Sequence, residues 1–121
     1  MISGLGGASI WSEDLTNLLP FYRDTLGLPV ALETPGFVVL GDPGGGPALA
    51  LGTHSKVKGK AKEPQRHIVS LTTDDIKAEY GRLKNAGVEF LEEPTDGGQV
   101  IFASFKDPEG NYLQLLEFKT Q

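Results

Sequence analysis

The chain reads as an α+β domain of two tandem βαβββ modules whose mixed sheet curves around a cleft. Three features predict it: a β-type run that recurs sixty positions later, a helical apolar stripe closed by glycine after each run, and an Asp-Pro turn before the last strand of each half. With 121 residues there is chain for one hydrophobic core and too little for two independent ones. The expected organisation is a single domain over residues 1–121. Its first module spans about 3–54, a Lys-rich linker about 55–65, and the second module about 66–119.

The first run is Gly7-Ala8-Ser9-Ile10-Trp11-Ser12-Glu13-Asp14, and its counterpart is His67-Ile68-Val69-Ser70-Leu71-Thr72-Thr73-Asp74. Asp14 and Asp74 are expected to cap the helices that follow, because a short carboxylate can accept from the free N–H groups of a first turn. Leu15, Leu18, Leu19, Tyr22 and Leu26 fall on one helical face, as do Ile76, Tyr80 and Leu83. Pro20 lacks an N–H and crowds the preceding turn, so the first helix should begin near Asn17 or bend there. Gly27 and Gly87 stand where helices close in the left-handed conformation. Pro29 to Thr34 and Val88 to Leu91 are the next expected strands. Phe37 to Leu40, ahead of Gly41-Asp42-Pro43, matches Phe102 to Phe105, ahead of Lys106-Asp107-Pro108. Ala48 to Leu51 and Tyr112 to Leu115 close the two halves. One half alone has a sheet face with too little to cover it, which is a reason for the duplication.

Composition excludes several functions. A net charge of −5 argues against nucleic acid as partner. No run approaches the roughly 20 apolar residues of a membrane span, and Met1-Ile2-Ser3-Gly4 lacks the basic start of a secretion signal, so a cytoplasmic location is expected. With no Cys there is neither a disulfide framework nor a thiolate. Lys56, Lys58, Lys60, Lys62 and Arg66 form a basic loop; it is read as a solvated segment, with a flap for anionic ligands as the alternative. Gly44-Gly45-Gly46 has none of the flanking residues of a phosphate-binding loop and reads as a hairpin turn.

Phe21-Tyr22-Arg23-Asp24-Thr25-Leu26-Gly27-Leu28, the His67-to-Asp74 strand and Asp107-Pro108-Glu109-Gly110-Asn111 together resemble the vicinal oxygen chelate superfamily. That superfamily includes glyoxalases, extradiol dioxygenases and bleomycin-resistance proteins. The resemblance implies a homodimer, and in metal-dependent members a divalent ion held by the first and last strands of each half. Carried onto this chain, those places hold Gly7, Ala50, His67 and Gln114. Gly7 and Ala50 carry no donor, and a metal with an open position needs about three protein ligands. A metal-free protein with no cofactor is therefore expected. His54, at a loop edge, and Glu117, three residues past Gln114, are not expected to replace the missing ligands.

Strand alternation then proposes a lining. Ser9, Trp11, Phe37, Val39 and Ala50 are candidate ligand-binding residues in the first half, and His67, Phe102, Ser104, Tyr112 and Gln114 in the second. Mostly apolar walls with a few directed polar groups suit a small aromatic or apolar organic molecule. The leading reading is a binder of the sequestration or antibiotic-resistance type. The alternative is a metal-independent isomerase, lyase or cyclase, with His67 as acid or base and Ser104 and Tyr112 as candidate catalytic partners. A metal-dependent glyoxalase or dioxygenase ranks third. Whether the chain is an enzyme, and which ligand it takes, stay open at this level.

Overall fold

In the computed structural model, residues 1–42 and 46–119 are described, and the chain divides into two units, Met1–Gly59 and Lys60–Gln121. Pro43, Gly44 and Gly45, on which the first Asp-Pro turn and the glycine hairpin depend, lie outside the described residues. The first unit contains β1 (Gly7–Ser12), a short helix α1 (Leu18–Pro20) running into one π turn (Phe21–Thr25), β2 (Val30–Thr34), β3 (Phe37–Leu40) and β4 (Ala48–Thr53). The second contains β5 (Val69–Thr72), α2 (Ile76–Asn85), β6 (Thr95–Asp96), β7 (Val100–Lys106) and β8 (Tyr112–Phe118). Each unit is one four-stranded mixed sheet, ordered β1-β4-β3-β2 and β5-β8-β7-β6. The first and last strands pair in parallel and the rest antiparallel, so the βαβββ module occurs twice, as expected.

Alternation decides what each sheet buries. In the first, Val38, Leu40, Leu49 and Leu51 turn to the side where the helical segment supplies Leu15, Leu18 and Tyr22, and all seven are buried. In the second, Ala103, Phe105, Leu113 and Leu115 are buried together with Ile76, Leu83 and Val88. Phe90 joins that core, with its ring 5.3 Å from Phe105 and 4.6 Å from Tyr80. The second Asp-Pro turn is built around buried Asp107. Its Oδ1 accepts from the N–H groups of Glu109 (2.8 Å) and Asn111 (2.9 Å), and its Oδ2 from Asn111 Nδ2 (2.7 Å).

The helices depart from the sequence expectation in instructive ways. Asp75, not Asp74, caps α2, accepting from the Ala78 N–H at 3.1 Å. Asp14 makes only a local turn with the Thr16 N–H, and Asn17 at the start of α1 offers no side-chain cap. Pro20 ends the regular α turn, and the chain continues with wider spacing, Leu26 N–H donating to the Phe21 carbonyl five residues back at 2.8 Å. Gly27 (φ 79°) and Gly87 (φ 94°) do close the two helices in the left-handed region. No ladder strand forms over Val88 to Leu91. There, Glu89 and Leu91 bond β7 through their backbones, but the Ser104 N–H takes the Glu92 side chain instead, which leaves a single bridge, Phe90 to Phe105.

Candidate functional site

Each sheet has one face turned away from its helix, and the pairing register fixes which residues share it. Directly paired residues on neighbouring strands project to the same side. In the first sheet Ser9 pairs with Ala50 and Ala50 with Val39; one step along, Trp11 pairs with Gly52 and Gly52 with Phe37. Ser9, Trp11, Phe37, Val39 and Ala50 therefore stand on one face, as the alternation proposed.

That face is organised around Trp11. Its ring lies across Gly52, where even a methyl group would run into the indole, so glycine is what lets the ring lie flat on the sheet. Phe37 packs beside it with ring centres 6.2 Å apart, and Nε1 donates to Ser9 Oγ at 2.9 Å. Trp11 is nevertheless 42% exposed. His54 meets the indole edge-on at 6.1 Å, and its Nδ1 accepts from the Lys56 N–H. By its sequence His54 stands at a loop edge, and nothing in the local pattern signals this contact.

In the second sheet the exposed face carries Ser70 paired with Gln114 and Gln114 with Ser104, then Thr72 with Leu116 and Leu116 with Phe102. Tyr112, two residues before Gln114 on β8, extends the same face. Phe102, Ser104, Tyr112 and Gln114 thus share a surface. His67 does not belong to this row. It lies exposed in a bend two residues before β5, and Ser70 occupies the place opposite Gln114. Val69 and Leu71, which alternation puts on the same face as His67, pair with Leu113 and Leu115 and face the core. The cause is a slip of one residue, which turns every side chain of a strand over. Ser9 matches Ser70, so the repeat offset along the first strands is one longer than the offset between Gly27 and Gly87. The π turn of the first helix holds one residue more than an α turn and absorbs the difference.

The register also tests the metal implied by the resemblance. At Gly7 an added Cβ would sit 2.6 Å from the Ala48 carbonyl oxygen, so there is no room for a liganding side chain. Ala50 has no donor, and His67 stands outside the Gln114 row. Among the described residues no three His, Asp or Glu side chains converge. This donor set does not fit a divalent cation. Glu117 points to the helix side and accepts from the Ile76 N–H at 2.8 Å, which caps α2 from a neighbouring strand. A cavity of about 480 Å³ lies on the helix-covered side of the first sheet, bounded by Leu15, Leu19, Pro20 and Val38. It is separate from the Trp11 face.

A family model matches residues 4–115, that of the Glyoxalase/Bleomycin resistance protein/Dioxygenase superfamily. The chain belongs to this superfamily. Among curated relatives in sequence, the uncharacterized protein YurT of Bacillus subtilis is 32% identical over 120 residues, covering 90% of this chain and 94% of YurT. A superfamily member from Sphaerobacter thermophilus has a similar structure, with TM-score 0.76 and 28% identity over 96% of this chain and 98% of that one. TnmS3, an antibiotic binding protein from Streptomyces, aligns with TM-score 0.77 and 24% identity over 98% of both chains, a likeness of fold. Among the described residues of this superfamily member, no helix is long and apolar enough to cross a membrane.

Proposed function

We propose that this glyoxalase-superfamily chain binds a small aromatic or apolar organic molecule without a metal, in the manner of a sequestering or resistance protein. The observation that carries the reading is the Trp11 surface: an indole held flat over Gly52, flanked by Phe37, bordered by Ala50 and Val39, and open to solvent. Exposed aromatic rings with a small-residue floor are suited to stacking on a planar guest, and covering apolar surface contributes roughly 25 cal/mol per Å² before association costs are subtracted. A fold that TnmS3 also has, in a protein described as binding an antibiotic, supports the reading by analogy. The acid–base alternative needs His67 beside Ser104 and Tyr112, and the register gives that combination no support. Pairing into a homodimer and residence in the cytoplasm belong to the same proposal; light scattering on the purified chain tests the first.

The sole tryptophan provides the main test. Titration with a planar probe such as 2-naphthamide should quench its emission saturably, with one site by calorimetry. Trp11→Ala should weaken binding about tenfold or more, as loss of an aromatic anchor does. Stoichiometric, micromolar uptake of Zn²⁺ or Ni²⁺ by the wild-type protein would overturn the metal-free part of the reading.

A further inference from the structure

We infer that the cavity on the helix side of the first sheet is a second ligand site, independent of the Trp11 surface, for an organic cation: an apolar body carrying an ammonium group. The cavity is built within the first unit alone. Its volume of about 480 Å³ falls in the range of small-molecule sites. Leu15, Leu19, Pro20 and Val38 give it apolar walls. Leu15 and Val38 are buried, Leu19 is half-buried and Pro20 is exposed, so those walls run from the core out to solvent.

The charged part of the lining is acidic. Glu33 pairs with Val38 across β2 and β3, so the edge strand carries a carboxylate on the face that buries Val38. Asp14 joins it from the turn after β1, its Oδ1 accepting from the Thr16 N–H at 2.9 Å. Both carboxylates are exposed and stand at the mouth. Arg23 is the one cation in the lining among the described residues, and its charge is already answered. Its Nε and Nη2 donate to the two Asp24 oxygens at 2.9 and 3.1 Å, and Nη1 lies 3.7 Å from Glu33. Asp14, Asp24 and Glu33 against Arg23 leave an excess of negative charge. A carboxylate or phosphate ligand would meet that excess with Arg23 engaged elsewhere. A neutral hydrocarbon would fill the walls and gain nothing from the carboxylates. An ammonium on an apolar body uses both. An inward charge on an edge strand also guards that edge against pairing with another chain, but such a guard needs no cavity behind it.

Three probes of similar length separate the possibilities on the whole chain: 4-phenylbutylamine, 4-phenylbutanol and 4-phenylbutyrate. The amine should shift the methyl resonances of Leu15, Leu19 and Val38 saturably and leave Trp11 emission unchanged. At low salt it should bind about fivefold tighter than the alcohol, the scale of one exposed ion pair, with the butyrate weakest. Added salt should narrow the gap. Glu33→Gln and Asp14→Asn keep shape and acceptor oxygens. Together they should bring the amine down to the affinity of the alcohol and leave the 2-naphthamide titration of Trp11 as it was. Butyrate binding as tightly as the amine, an amine preference that survives both substitutions, or shifts confined to the Trp11 face would each overturn the inference. So would the absence of a saturable shift with any of the three probes. Because 2-naphthamide reports on Trp11 separately, failure here and failure of the aromatic-binder reading are told apart.

Discussion

The central rows of the two sheets occupy the same place in the same ladder and differ in chemistry. Ser9–Ala50–Val39 is small and mostly apolar, with its hydroxyl accepting from an indole, whereas Ser70–Gln114–Ser104 is polar throughout and unengaged. The two sheets share one backbone pairing while their exposed faces differ, because that pairing is made by main-chain groups that do not depend on those side chains. The buried faces could not diverge as far, since both must fill a core. The exposed face of one unit is aromatic and apolar and that of the other is polar.

The sharpest way to break this contrast is to return a metal-type side chain to the first unit. Gly7→His should not restore a ligand; it should destabilise the fold by about 3 kcal/mol, the upper range for single substitutions, because the new Cβ meets a backbone oxygen that cannot swing aside. Thermal melting with and without Zn²⁺ reads both effects. A variant that melts like the wild type and gains stoichiometric zinc would show that the first unit retains a metal site, and the contrast between the rows would lose its meaning.

The helices offer a second, milder comparison. The segment α1 starts with no side-chain cap, while α2 is capped by Asp75 and again by Glu117 from β8. Glu117→Ala leaves the Ile76 N–H without its acceptor and should cost about 1 kcal/mol. Glu117→Gln, which keeps an acceptor oxygen, should recover most of it. Urea midpoints measure the pair. Equal loss in both variants would mean that charge at the helix start, rather than the hydrogen bond, is what matters.

The same capping detail explains how much could be read in advance. The repeat, the mixed α+β architecture, the glycine helix ends and the Asp107 turn were legible because each depends on local chemistry within a few residues. The grouping of Trp11 with Phe37, and of Ser104 with Gln114, followed from alternation within single strands. His67 was misplaced because its face depends on a count carried across a helix, and the π turn at Phe21–Thr25 changes that count by one. Nothing in the residues around Pro20 states how the chain will resume after the break. The missing ladder over Val88 to Leu91 has a similar origin: Glu92 supplies a side-chain acceptor where a backbone carbonyl was expected, and periodicity is blind to such a replacement. The contacts of His54 and Glu117 join distant segments, which a window of sequence does not contain.

The smallest expected effect concerns the outer edges of the sheets. The edge of the first, β2, has five residues, four of them paired with β3, whereas the edge of the second, β6, has only two and is tied down by Lys119, whose Nζ lies 2.7 Å from Asp96. Lys119, and after it the Gly98 N–H, hold the Asp96 carboxyl below its ordinary range. A carboxyl whose folded value is depressed stabilises the fold above the unfolded value, near 4, and that contribution is lost as pH falls through the folded value. Because both partners are largely exposed, salt should screen the effect. An NMR titration of the Asp96 carboxyl carbon should give a midpoint below that of an ordinary aspartate, moving upward but not all the way in Lys119→Met, since Gly98 still donates. A midpoint indifferent to Lys119 would mean that the turn alone anchors this edge. The two sheets would then differ at their edges only in strand length.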